Sequence, residues 1–228
     1  VAAAPECPKS SCPSPERYME MYHCDAEHVY AVTLSAELSG SYNSAELGKN
    51  LYKEEYGEKQ IHVFNSKSAS VGETLIALKI AECEEKQMSF EEIIKTVDAY
   101  IEEQHTYFVL ETLETLKKNG RLTGIKAMMA TALNIKPVMG STPIGSICQL
   151  GQGRGMKKAI EKMVAQVKKD AIRPEEKILA ITHCNCPERA EDMKKMVQEQ
   201  MKVKDIIVLD TAGISSMYAA DGGVILVV

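Results

Sequence analysis

The sequence predicts an α/β protein with two lobes and a ligand cleft between them. The first lobe is predicted to be Rossmann-like with a parallel sheet, because short apolar runs alternate with helical periods from residue 29 to residue 110. The second is predicted to be an α+β lobe with a mixed sheet, because two short strands after residue 134 are joined by a glycine-containing turn. We therefore assign residues 1–134 to the first lobe and residues 135–228 to the second.

The first lobe is predicted to contain three strands and three helices. Its best-defined helix begins after Ser89, which forms a capping box with Glu92, and its apolar residues recur at helical spacing. The predicted strands cover residues 29–35, 61–65 and 107–110, and the predicted helices cover residues 42–56, 72–86 and 90–104.

The second lobe begins after a segment, residues 112–133, that is predicted to form two short helices broken at Asn119 and Gly120. Gly120 suits the left-handed position that ends a helix. The predicted strands that follow cover residues 135–139, 146–150, 178–182, 206–209 and 224–228, with helices at 156–169 and 187–201. We expect these helices to cover one face of the mixed sheet.

Composition excludes several classes of protein. The 228 residues are 45% hydrophobic and 26% charged, as in soluble globular proteins. A net charge of −5 without a basic block argues against a nucleic-acid partner, and no apolar run approaches the ~20 residues of a membrane span. Seven scattered cysteines without an export signal favour reduced thiols and a cytoplasmic location. Cys184 and Cys186 are too close for a zinc knuckle, so we expect neither metal nor cofactor.

Residues 34–45, LSAELSGSYNSA, predict an anion site. They join a strand to a helix, and the free backbone N–H groups at a helix N-terminus favour a negative ligand. The hydroxyls of Ser39 and Ser41 can donate to a carboxylate or phosphate, and Gly40 permits unusual backbone angles and close approach. The alternative is that Ser39 or Ser41 only caps the helix.

Six segments of the chain, in order, resemble motifs of the DegV family of fatty-acid-binding proteins. LSGSYNSA (38–45) resembles the family's LSGTYQSA, and IHVFNSKSASVG (61–72) resembles IHVIDSRSASMG. The other four are PKSSCPSPERY (8–18), YFVLETLETLKKNGRLT (107–123), LNIKPV (133–138) and RGMKKAIEKMV (154–164).

The resemblance implies the two-lobed EDD fold and a bound long-chain fatty acid. Its carboxylate would be held by hydroxyls at the matching positions, Ser10 (in place of a threonine) and Ser39, and its tail would lie in an apolar tunnel. Hydrogen bonds to a charged group are worth ~1.5–3 kcal/mol each, so hydroxyls can hold a carboxylate without a buried cation. Met128 and Met129 are candidates to line the tunnel because methionine adapts to different acyl chains. The alternative is that they are ordinary core residues.

The resemblance also implies a partner, a fatty acid kinase, with Arg154 on the surface that meets it. Alternatively Arg154 is a solvated charge at a helix start. His183 matches a family histidine but could be a simple loop residue. Family members that serve a kinase commonly end in a segment with a histidine before Gly-Pro-Gly, and this chain has no histidine after His183. That departure argues against the kinase role, and Ser215 and Ser216 are expected to serve the head group instead.

Family members begin with a strand that carries a threonine-aspartate-serine turn. The first residues here, VAAAPECPKSS, have no strand pattern. We therefore expect that strand to be missing from this chain or to be supplied by another one, and its loss would expose a sheet edge.

The predicted function is therefore a fatty-acid carrier that is not itself an enzyme. The alternative is an enzyme acting on a small anionic substrate in the cleft between the lobes, and a structural interaction module is a third hypothesis. The sequence contains neither a G-x-S-x-G elbow nor a phosphate-binding P-loop. The glycines of residues 151–155 do not follow the first strand of a βαβ unit, so they do not predict a dinucleotide loop.

Overall fold

The computed structural model of the protein describes residues 7–122 and 134–228. A 3-10 turn covers Pro174–Glu176. The elements are α1 (Pro15–Tyr22), β1 (His28–Thr33), α2 (Ser41–Tyr56), β2 (Gln60–Asn65), α3 (Val71–Glu85), α4 (Phe90–Glu102), β3 (Thr106–Val109), α5 (Glu114–Lys118), β4 (Ile135–Ser141), β5 (Ile147–Arg154), α6 (Gly155–Asp170), β6 (Ile178–His183), α7 (Pro187–Gln200), β7 (Asp205–Asp210), α8 (Gly213–Ala219) and β8 (Val224–Val227).

The strands form a small parallel sheet and a larger mixed sheet, which confirms the predicted fold class. In the small sheet β1 pairs with β2 in parallel. The larger sheet has six strands in the order β5-β4-β3-β8-β6-β7. Only the pair β6–β7 is parallel in it, and β4 and β5 form the predicted antiparallel hairpin.

One strand lies in a different sheet from the one predicted. The sequence analysis grouped residues 107–110 with the parallel strands of the first lobe, and that grouping is wrong. In the structure β3 lies antiparallel between β4 and β8. All four of its residues are buried, as expected for a central strand covered on both faces. An apolar run of this length shows that a strand exists but carries no information about its neighbours. The boundary at residue 134 adjoins residues outside the described ranges and stays a prediction.

Helices cover both faces of the six-stranded sheet. On one face, α6 and α7 bury Met163 and Met193 against strand residues that include Leu179 and Ile181. On the other face, α3 packs Val71 and Leu75 against Ala180 and Val227. Successive strand residues point to opposite faces, so β6 supplies both cores. The two predicted helices of the second lobe, α6 and α7, share one face of the six-stranded sheet, as expected. The helix α3, from the first half of the chain, covers the other face.

Two helices were not predicted. α1 begins at Pro15 after Ser14, whose hydroxyl accepts the Arg17 N–H at 3.3 Å. Serine followed by proline is a recognised helix start, so this helix could have been found. α8 has only seven residues and no capping side chain, and its sequence carries no such signal. Within the described ranges there is no helix long and apolar enough to span a bilayer.

Candidate functional site

A cleft lies where the small sheet, the six-stranded sheet and α8 meet. Small-molecule sites are typically concave and lined mostly by apolar side chains with a few polar groups, as this cleft is. Both halves of the chain contribute to its walls. The apolar lining residues, which define what we call the apolar cleft, are Leu34, Leu38, Ala69, Phe108, Leu110, Leu116, Ile147, Ile214, Ala219 and Ile225.

The predicted serines Ser10 and Ser39 both line this cleft. Ser10 Oγ lies 3.0 Å from the hydroxyl of Tyr218 on α8. Ser39 Oγ lies 2.9 Å from Ser41 Oγ and accepts the Ser41 N–H at 3.2 Å. Two segments that are 29 positions apart in the sequence therefore bring hydroxyls to the wall of one cleft, where they can donate to an anion.

Gly40 and Ser41 differ from the expectation in their roles. Gly40 is the N-cap of α2 with φ −72°, so it does not use the backbone angles that favour glycine. A Cβ at this position would lie 3.3 Å from Cys12 Sγ, so the missing side chain instead lets the segment before α1 approach. The N-cap position has no side-chain cap, and Ser39 satisfies the first helical N–H from outside the helix. Ser41 is buried and does not line the apolar cleft.

Arg121 lies beside these serines and was not predicted as a site residue. α5 ends in a Schellman motif in which Gly120, at φ +73°, donates to Lys117 and Arg121 donates to Leu116. The guanidinium donates through Nε to the Leu38 carbonyl at 3.2 Å and stacks 5.9 Å from the Tyr218 ring centroid. The left-handed glycine was predicted, and it turns Arg121 into the cleft. A cation therefore lies beside the predicted serines, which the sequence analysis did not anticipate.

The turn between β2 and α3 is a second feature that the sequence analysis did not assign to the site. Lys67, Ser68, Ala69 and Ser70 all line the apolar cleft. Lys67 and Ser70 have φ values of 50° and 60°, which is uncommon for residues with side chains and is often found at functional sites. The resemblance of residues 61–72 to a family motif could have indicated that this turn belongs to the site, but the motif by itself assigns no role to its residues.

The β4–β5 hairpin closes one side of the cleft. Ser35 Oγ donates to the carbonyl of Gly145 at the hairpin tip, at 2.9 Å. Gly145 has φ +88°, and a Cβ there would lie 2.3 Å from Ser35 Oγ and 2.8 Å from Lys67 Cα. Only glycine fits this contact, because both the backbone angle and the close approach exclude a side chain.

A second space adjoins the serines. This polar cavity shares Ser10, Ser39 and Arg121 with the apolar cleft and is also lined by Ser41 and Glu73. Glu73 lies in the first turn of α3, and its Oε1 is buried without a hydrogen-bond partner among the described residues. Desolvation raises the pKa of its carboxyl from 4.5 to about 7.

The raised pKa of Glu73 predicts a dependence of stability on pH. The folded state binds the Glu73 proton more tightly than the unfolded state, so stability is greatest below pH 4.5 and falls as pH rises through about 7. At 1.36 kcal/mol per pKa unit, the fall is at most about 3 kcal/mol. We expect Glu73→Gln to unfold at a higher urea midpoint than the original protein at pH 8, with a smaller difference at pH 5. Equal differences at both pH values would contradict the assignment.

Of the other predicted site residues Ser215, Ser216 and His183, only Ser215 lines the apolar cleft. Ser215 lines the apolar cleft, whereas the Ser216 hydroxyl pairs with Thr211 Oγ1 at 2.8 Å and does not line it. Their role at the head group stays a prediction. His183 is buried and is the last residue of β6, so it is not a loop residue. Its Nδ1 atom lies 3.4 Å from the Cys186 backbone nitrogen and 3.5 Å from Asp210 Oδ1. His183 does not line the cleft.

The residues predicted for the partner surface and for the tail are Arg154, Met128 and Met129, and Arg154 does not line the cleft. Arg154 is exposed at the start of α6, and its guanidinium has no hydrogen bond or ion pair within the described ranges. Met128 and Met129 lie outside the described residues. Met139 is fully buried in the core behind the cleft, and none of the described methionines lines the cleft itself. The apolar lining of the cleft is therefore formed by leucine, isoleucine, phenylalanine and alanine in the part of the chain that is described.

The cysteines do not form a metal site in the described ranges. Cys184 is buried and Cys186 half-buried, and both thiols are free. No group of three or more histidine, cysteine or acidic side chains in residues 7–122 and 134–228 is arranged to hold an ion. Burial raises the pKa of the Cys186 thiol, which keeps it in the neutral form.

Comparison with known proteins gives the family. A family model described as "Uncharacterised protein, DegV family" matches residues 1–227. The chain belongs to the DegV family. A DegV domain-containing protein of Streptococcus pneumoniae is 32% identical over 224 residues, which cover 98% of this chain and 79% of that protein.

Solved DegV structures share the fold over almost the whole chain. A DegV family protein from Ruminococcus gnavus, determined with vaccenic acid, is 65% identical with a TM-score of 0.98, covering 100% of this chain and 81% of its own. The Fatty Acid Kinase B3 protein of Streptococcus pneumoniae, loaded with linoleic acid, is 31% identical with a TM-score of 0.88, covering 99% of this chain and 79% of its own. The resemblance recognised in six segments is thus confirmed across the DegV fold.

Proposed function

We propose that this protein is a carrier of long-chain fatty acids. The tail lies in the apolar cleft, and the carboxylate lies at its polar end beside Ser10, Ser39 and Arg121. The observation that supports this most directly is the combination, in one cleft, of ten apolar side chains with these donors, which lie close to one another around Tyr218 and Leu38. The related DegV proteins determined with vaccenic and linoleic acids support the ligand class.

The alternative, an enzyme acting on a small anion, explains the cleft less well. A short anion would occupy the space beside the serines and leave most of the apolar wall in contact with water. Exposing that much apolar surface to water is unfavourable. The related kinase-linked protein is described as loaded with a fatty acid, which is a binding role. The chain is therefore a binding protein that leaves chemistry to a partner.

Native mass spectrometry of the purified protein tests this function. A carrier should retain a fatty acid through purification. The mass measured under native conditions should therefore exceed the mass of the polypeptide by the mass of one fatty acid. Organic extraction should remove this excess mass. Re-addition of vaccenic acid should restore it. A chain that neither retains nor rebinds the acid, while still showing its folded circular-dichroism spectrum, would overturn the carrier function.

We further propose a fatty acid kinase as the partner, with Arg154 on the contact surface. Arg154→Ala should leave fatty-acid affinity unchanged and slow acyl-phosphate formation by the kinase, because an exposed guanidinium contributes to encounter and orientation at a protein surface. Turnover with the variant as the acid donor measures this.

The matched control is Lys168→Ala, an exposed cation roughly 20 Å away at the other end of α6. It should match the original protein in both assays. If Arg154→Ala weakened fatty-acid binding and kinase turnover equally, the surface assignment would be wrong. The turnover assay decides the kinase role, and the cytoplasmic location expected from the sequence stays a prediction.

A further inference from the structure

The polar cavity brings the Glu73 carboxyl to the same space as the serine hydroxyls. Glu73 reaches it from the first turn of α3, Ser39 and Ser41 reach it from the start of α2, and Ser10 reaches it from the segment before α1. Ser10 and Ser39 also line the apolar cleft. A carboxylate held by these two hydroxyls therefore lies at the junction between the apolar cleft and the polar cavity that Glu73 borders.

The other titratable groups of the cavity leave Glu73 without a committed partner. Cys12 comes from the segment before α1, Tyr18 from α1 itself, and Arg121 from the end of α5. Burial raises the pKa of Tyr18, so its phenol stays neutral. The Arg121 guanidinium already donates to the carbonyls of Leu38 and Asn119. Glu73 Oε1 accepts from none of the described groups.

Two carboxyl groups in one partly buried site hold one proton between them more readily than two negative charges. We propose that Glu73 is a specificity residue of the fatty-acid site: its protonated carboxyl donates a hydrogen bond to the bound carboxylate, and its ionised form repels it. This rests on the carrier function proposed above. A pKa near 7 for Glu73 lets the residue change form within the physiological range.

The test compares the affinity of the original protein and of Glu73→Gln for vaccenic acid at pH 6 and pH 8. Glutamine keeps a hydrogen-bond donor and cannot ionise. If only protonated Glu73 admits the carboxylate, raising the pH from 6 to 8 should weaken binding to the original protein by about tenfold relative to the variant. Displacement of a fluorescent fatty acid measures both affinities, and the ratio of the two proteins cancels the titration of the ligand itself.

Glu54→Gln, an exposed carboxyl on α2, is the matched control and should follow the original protein at both pH values. An affinity ratio between original and Glu73→Gln that stays constant with pH would overturn the role of Glu73 while leaving the carrier function intact. Failure of both proteins to bind vaccenic acid at pH 6 would overturn the carrier function itself, so the two failures are distinguishable.

Discussion

Each methylene added to a saturated fatty acid is expected to tighten its binding nearly fourfold until the cleft is full. The reason is that burying one CH₂ group contributes about 0.8 kcal/mol, and the wall of the cleft is built largely from leucine and isoleucine. Four added methylenes should therefore improve affinity by roughly two hundredfold. Calorimetric titration with acids of increasing length measures the increments, and affinity should level off once the chain meets the closed end.

A variant of the wall separates this effect from general hydrophobicity of the ligand. Ala69 lies in the cleft and is only half-buried, so Ala69→Phe should fill space without overpacking a closed core. We expect the variant to bind short acids normally and to reach its plateau at a shorter chain length. A flat response from short to long acids in the original protein would remove the lipid function and leave only an anion site.

Ser39→Ala is expected to weaken fatty-acid binding by roughly ten- to a hundredfold, because a hydrogen bond to a charged group is worth about 1.5–3 kcal/mol. The Ser39 hydroxyl lines the cleft and contacts Ser41, so its loss removes a donor without opening a large void. Equilibrium binding of one acid of fixed length measures the change.

Ser44→Ala, in the first turn of α2, is the matched control, since Ser44 is outside the residues that line either cavity. It should bind fatty acid as the original protein does. If Ser39→Ala also bound normally but melted at a lower temperature, Ser39 would be only a contributor to the start of α2, and the head-group assignment would move to Ser10 and Arg121.

Local sequence patterns predicted the parts of the site that are encoded within a few residues. The strand, turn and helix around Ser39 are where the alternation of apolar runs and helical periods puts them, and Gly120 has the left-handed backbone expected at the end of a helix. Such features follow from hydrogen bonding and sterics between neighbours in the chain. The consequence of the Gly120 turn, which is to place Arg121 against Tyr218, involves residues 97 positions apart and was not foreseen.

The sequence by itself determined the fold class, the family and the residues at the start of α2. Only the tertiary structure decided that β3 lies in the centre of the mixed sheet, that Ser10 meets α8, and that Glu73 lines the same cavity as the serines with its Oε1 atom buried. The physical reason is that a strand pairs and a carboxyl loses its hydration through contacts with distant parts of the chain. Periodicity reports which face of an element is buried, whereas the partner that buries it depends on how all the elements pack together.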